Sequence, residues 1–245
     1  KGYNQNLKVL LDYEVIPLLP RIIRQDDIVE IKLFLKRFHA AHPTGKIKIS
    51  HIGQLELLQN YTFEVESDYS LNIFNGVAVN QLEELGLTSF VWSTEMSKNE
   101  LRTSNVKLLS HNKIKAGVFI YGHLPVMISE YCPVGGALVG HDKCMLCKKN
   151  EFALVDDQNV RYPLFCDPEH CRAEVISDHK INLIDQIKIL EAMGIYQYRL
   201  AMDCYDFDCN RLLSSIFESQ TIAEIMQRND FNQELHSRGS YLKGI

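Results

Sequence analysis

Seven cysteines lie in this chain of 245 residues, and none occurs before Cys132. Cys132, Cys144, Cys147, Cys166 and Cys171 fall within forty positions, and Cys204 and Cys209 follow. Cys144-Met145-Leu146-Cys147 is a Cys-x-x-Cys, whose two thiolates can share one metal centre without backbone strain. Two further ligands would complete a tetrahedral zinc site or a cubane iron–sulfur cluster. Cys132 and Cys171 flank the pair, and Cys166 and His170 are further candidates. The chain opens Lys1-Gly2-Tyr3-Asn4, with no apolar leader. Without a secretion signal, such clustering reads as metal binding in a cytoplasmic protein before it reads as disulfides. Cys204 and Cys209 have no second thiol pair nearby and read as packed thiols. A thioredoxin-like redox role is disfavoured, because lysines rather than a βα pattern surround Cys144 and Cys147.

Other chemistry can be weighed the same way. A peptidase needs an activated nucleophile, paired carboxylates or an open metal. No Gly-x-Ser-x-Gly and no His-Glu-x-x-His occurs, and the nine histidines are scattered. Polar residues closing the apolar runs are the candidate substrate groups: Arg21, Asn72, Asn75, Glu95, His123 and Arg199. Arginine contacts carboxylates and phosphates bidentately, so Arg21 and Arg199 suit an anionic ligand. Each of these residues can equally hold a loop by hydrogen bonds. Charge gives no bulk basic field: 26 Lys+Arg against 31 Asp+Glu leaves −5. An RNA partner would therefore need a local patch, such as Lys143, Lys148 and Lys149, although such a run is more often a solvated face. No apolar run approaches the roughly 20 residues that span a bilayer.

The elements that must position these groups alternate between β and α patterns. Val15 to Leu19 is an apolar run, and Asp26 opens a helix with Ile28, Ile31, Leu35 and Phe38 at helical spacing, stopped by His42-Pro43-Thr44-Gly45. Ile47 to Ile52 reads as a strand, Gly53 to Asn60 as a short helix and Phe63 to Val65 as a strand. Ser70 opens a helix through Leu85, closed by Gly86. Ser89 to Ser93 is a strand, Lys98 to Thr103 a helix and Ala116 to Tyr121 a strand. Beyond the cysteines, Leu183 to Met193 reads as a helix ended by Gly194, Tyr196 to Ala201 as a strand, and Asp208 to Arg228 as largely helical. This order specifies parallel strands with crossover helices. About six βα units are countable, with residues 132–171 as a cysteine-rich excursion, so the expected fold is the C-terminal larger part of a TIM-like β/α barrel in one domain, 1–245. A doubly wound sheet is the alternative, but no Gly-x-Gly-x-x-Gly follows a strand.

Tyr121-Gly122-His123-Leu124-Pro125-Val126-Met127-Ile128-Ser129-Glu130-Tyr131-Cys132-Pro133 resembles the signature of the collagenase-like peptidase family U-32. Leu19-Pro20-Arg21-Ile22, the run Asp68 to Asn75, Ser93-Thr94-Glu95, Cys171-Arg172 before Asn182 to Asp185, and Ser237-Arg238-Gly239 are similar too, in collinear order. The resemblance implies a β/α barrel in which Cys132, Cys144, Cys147 and Cys171 hold a 4Fe–4S cluster. It further implies either the peptidase activity of the family's label, on peptide or collagen, or oxygen-independent hydroxylation. That hydroxylation would act on an RNA base or an aromatic quinone precursor, with a prephenate-like co-substrate. A zinc-stabilised binding module is the third possibility. The spacing of the middle ligands differs from that of the hydroxylase branch, His123 stands where arginine is common, and Cys166 is an extra thiol near the fourth ligand.

Overall fold

The computed structural model describes residues 15–109, 113–138, 144–168, 170–201 and 236–242. The chain divides into two compact units. The first comprises residues 1–119, 188–199 and 239–245, and the second comprises 120–187 and 200–238. Cys204, Cys209 and the expected helices between Asp208 and Arg228 lie outside the described residues.

The first unit is a parallel sheet with crossover helices. Helix α1 (Gln25–Ala41) buries Ile31, Phe34, Leu35 and Phe38, a stripe at three- and four-residue spacing, and carries Asp26 and Asp27 in its first turn. It ends at His42, one residue before the proline that prevents its continuation. Strands β1 (Lys46–Ile49), β2 (Glu64–Ser67), β3 (Leu87–Val91) and β4 (Lys115–Gly122) follow. β1 pairs with β2, β2 with β3, and β3 with β4, every one of them parallel. The crossovers contain the short helix α2 (Leu55–Leu58), α3 (Gly76–Glu84) and α4 (Lys98–Leu109). Parallel pairing demands such crossovers, and the helices cover the sheet with Val79, Leu82 and Leu101. The Val15 to Leu19 run contributes a single parallel bridge, Leu18 to Lys48, rather than a full strand.

One helix starts later than its sequence pattern suggests. Residues 69–71 form a 3-10 turn, Asn72 adopts a left-handed conformation at φ 56°, and Ile73 bridges to Trp92. Only then does α3 begin, with the Asn75 side chain accepting from the Ala78 amide at 3.0 Å. Gly86 ends it with φ +84°, a conformation that glycine adopts without steric cost. Downstream, α6 (Ile187–Ala192) is preceded by a 3-10 turn at Ile184–Gln186, and β10 (Gln197–Leu200) lies beside β4. The unit's polar keystone is Asn105, which is fully buried. Its Oδ1 accepts from Trp92 Nε1 at 3.2 Å and its Nδ2 donates to the Met193 carbonyl at 2.7 Å, tying β3, α4 and the approach to β10 together.

The second unit holds a four-stranded antiparallel sheet, a module that the β-α alternation does not reveal. Its order is β5 (Pro125–Ser129), β8 (Arg172–Ile176), β7 (Arg161–Asp167) and β6 (Phe152–Val155). Helix α5 (Pro133–Leu138) and a 3-10 turn at Leu146–Lys148 belong to the cysteine-bearing segment, which also contributes β6 and β7 to this sheet. In the same unit Tyr121 and Gly122 pair antiparallel with β9 (Lys180–Asn182), which pairs parallel with β11 (His236–Ser237). The class is thus mixed α/β with a parallel sheet, and among the described residues the strands do not close into a barrel.

Candidate metal centre

All five cysteines of the 132–171 segment are described, and all are free thiols in the second unit. The antiparallel register explains why residues far apart in sequence meet. Pairing of Ser129 with Ala173 sets the chain after β5 beside the chain before β8, which brings Cys132 and Cys171 into one neighbourhood. An ion pair reinforces this, because Arg172 Nε lies 2.9 Å from Glu130 Oε1. Cys132, Val134, Leu164 and Val175 form a buried apolar cluster, and Leu146, Cys166 and Cys171 pack against it. Leu146 sits inside the Cys-x-x-Cys, so this contact holds Cys144 and Cys147 against the same patch.

The electrostatics record the same proximity. Burial pushes the Cys147 thiol up, and the charges of Cys132, Cys144 and Cys171 push it further. Cys166 is pushed up to about 12 by burial, by Cys132 and Cys147, by a hydrogen bond to Cys132, and by Cys144. Cys132 Sγ also accepts from the Gly135 amide at 3.5 Å. Raised in this way, the crowded thiols stay protonated, and a bound cation would favour the thiolates and release the protons. In kind and number these soft donors fit zinc or an iron–sulfur cluster. Among the described residues, however, no three His, Cys, Asp or Glu side chains are arranged to hold a metal ion. The structure gathers the thiols without closing them to ligand distances. His170 is engaged elsewhere: its Nδ1 lies 2.5 Å from Asp167 Oδ2. Lys148 and Lys149 are solvated, and Lys143 lies outside the described residues.

The substrate candidates separate by unit. Arg21, Asn72, Asn75, Glu95 and Arg199 belong to the first, and His123 to the second. Arg21 stacks on the Tyr69 ring, its guanidinium carbon 4.8 Å from the centroid. Arg199 Nε is 3.4 Å from Oδ1 of Asp68, a carboxylate only 1% exposed. Asp68 and Tyr69 follow β2 directly, so two consecutive residues at the carboxyl end of a parallel strand anchor two arginines. Sequence reading missed both anchors, because each arginine lies dozens of positions from its partner and no short motif links them. Asn72 Oδ1 accepts from Ser93 Oγ at 2.5 Å, and that hydroxyl also receives the Glu95 amide at 3.2 Å. Asn75 is spent on its helix cap. These three residues hold the loops after β2 and β3 in place. His123 Nδ1 donates to the Ser177 carbonyl at 2.6 Å, while the Ser177 hydroxyl donates to the His179 carbonyl. The Ser177 proton is therefore held by backbone rather than by an imidazole base, which is not the arrangement of a hydrolytic serine.

No curated protein matches the chain. The family model described as Peptidase family U32 matches residues 10–206, a span that includes the parallel sheet, the antiparallel module and every cysteine from Cys132 to Cys204. The chain belongs to Peptidase family U32.

Proposed function

We propose that this protein is an iron–sulfur enzyme of the U32 family, in which Cys132, Cys144, Cys147 and Cys171 hold a 4Fe–4S cluster. The proposed reaction is oxygen-independent hydroxylation of an RNA base or an aromatic quinone precursor in the cytoplasm. The observation that carries this reading is the gathering of cysteine-bearing stretches at one buried patch, in which Cys132 is a member and against which Cys171 and Leu146 of the Cys-x-x-Cys pack. A cluster bound there would supply one-electron chemistry or a Lewis-acidic iron. The chain's own residues do the rest. Arg21 and Arg199 bind an oxyanion of substrate or co-substrate, held in position by Tyr69 and Asp68. Asn72, Ser93 and the Glu95 amide lock the adjoining loops, so that little ordering entropy is lost when a ligand docks. Parallel strands with crossover helices are common to β/α barrels and doubly wound sheets, and in both the loops at the carboxyl ends of the strands are where function is built.

Anaerobic purification followed by absorption spectroscopy and iron and sulfide analysis tests this reading. A brown protein with matching iron and sulfide supports it. A colourless protein filled with zinc supports a structural binding module instead, and gelatin cleavage by metal-free protein supports the peptidase of the family's label.

A further inference from the structure

Strand β7 presents alternate residues to one face, and Tyr162, Leu164 and Cys166 share that face. All three pack at the patch formed by Cys132, Val134 and Val175. The β7–β8 register sets Leu164 opposite Val175 and Cys166 opposite Ala173, and both of those β8 partners are buried. Cys166 is thus directed inward by the pleat, onto the buried patch that contains Cys132. Cys171 stands at the other end of the same short connection, in a left-handed conformation at φ 53°, and packs on the same patch. Cys132, Cys144 and Cys147 therefore have two thiols within reach, one at each end of the β7–β8 turn.

We propose that Cys166 is a fifth ligating thiol, able to fill the fourth ligand position when Cys171 does not. This rests on the reading that the thiol set binds metal, and it extends that set to a residue that the family resemblance leaves out. A tetrahedral all-thiolate centre takes four thiolates, and three are common to both arrangements. Either closing step has the same balance. One metal–sulfur bond would form as a metal-bound water leaves, one S–H proton would pass to solvent, and no electrons would be exchanged. The chain consequently has two interchangeable fourth ligands where a single loss would otherwise open the site.

Cobalt(II) is the probe, because its thiolate charge-transfer band grows with the number of bound thiolates. Reduced, metal-free full-length protein is titrated anaerobically as wild type, Cys166→Ser, Cys171→Ser and the double variant, with alanine versions alongside and circular dichroism confirming the fold. Each single variant is expected to keep the full thiolate band and to bind within about tenfold of wild type, whereas the double variant loses part of the band and more than about a hundredfold in affinity. A Cys171→Ser protein that binds cobalt as weakly as the double variant overturns the role of Cys166 and leaves the four-cysteine site intact. A wild-type protein without any thiolate band overturns both.

Discussion

Asn105→Ala removes one side chain but strands two buried groups. Trp92 Nε1 loses its acceptor and the Met193 carbonyl loses its donor, in a site where Asn105 is 0% and Trp92 1% exposed. A buried polar group left without a partner costs about 1–3 kcal/mol, so the two together cost about 2–6 kcal/mol. For a chain of this size that corresponds to a fall in melting temperature of about 4–24 °C. Trp92 is the only tryptophan, so its fluorescence reports the perturbed site directly during thermal or urea unfolding. Thr103→Ala on the exposed side of the same helix is the control, with an expected change within about 0.5 kcal/mol. The functional consequence follows from position. Asn105 holds β3, which leads to Ser93, and the turn before β10, which leads to Arg199, so residual folded Asn105→Ala protein also loses ligand affinity. An Asn105→Ala protein as stable as wild type would refute the claim that this hydrogen-bond pair organises the first unit.

Four further outcomes are expected. Arg21→Ala weakens an anionic ligand about ten- to a hundredfold, since a charge-assisted hydrogen bond contributes about 1.5–3 kcal/mol, while metal content stays unchanged because the thiols belong to the other unit; equilibrium binding and metal analysis check both halves. Cys144→Ala abolishes the brown colour and the activity, whereas Cys166→Ala and Cys209→Ala keep the colour, as absorption spectra of anaerobically prepared variants would show. Gly122→Ala destabilises the fold severely, because a Cβ there would sit 2.3 Å from the Ala201 carbonyl oxygen at a backbone φ of +118°, and expression yield and melting temperature report it. Arg238→Ala costs about 1 kcal/mol at neutral pH, given that both partners are about a third exposed. Burial alone would raise the Asp185 carboxyl, but hydrogen bonds from Arg238 and Gln186 hold it below its ordinary range. With the folded pKa depressed, the stabilisation is present above the unfolded carboxylate range and disappears as pH falls through the folded value, so wild type and Arg238→Ala converge in acid.

Local periodicity made much of the first unit legible. The Ile31, Leu35 and Phe38 stripe and the Pro43 stop locate α1, and the short β-rich runs locate four parallel strands, because each parallel strand must be followed by a helix-length return. The start of α3 was obscured by Asn72, whose left-handed backbone cannot be inferred from a residue that also suits a helix cap. The antiparallel module was obscured by its own composition. Pro163 lies within β7, and a half-exposed strand such as Phe152–Val155 gives no strong alternation. The cysteine cluster was visible as a density of one residue type, but the inward direction of Cys166 depends on strand register, a property of pairing rather than of spacing. The anchoring of Arg199 by Asp68 is likewise a tertiary event between β2 and β10.

The absorption spectrum of anaerobically purified protein, read together with its iron and acid-labile sulfide content, tests the central claim most directly. The cysteine set predicts a brown protein whose iron and sulfide match one 4Fe–4S cluster per chain, with both lost in Cys144→Ala. A colourless wild-type protein without iron, or a Cys144→Ala variant that still cleaves gelatin at the wild-type rate, would contradict it.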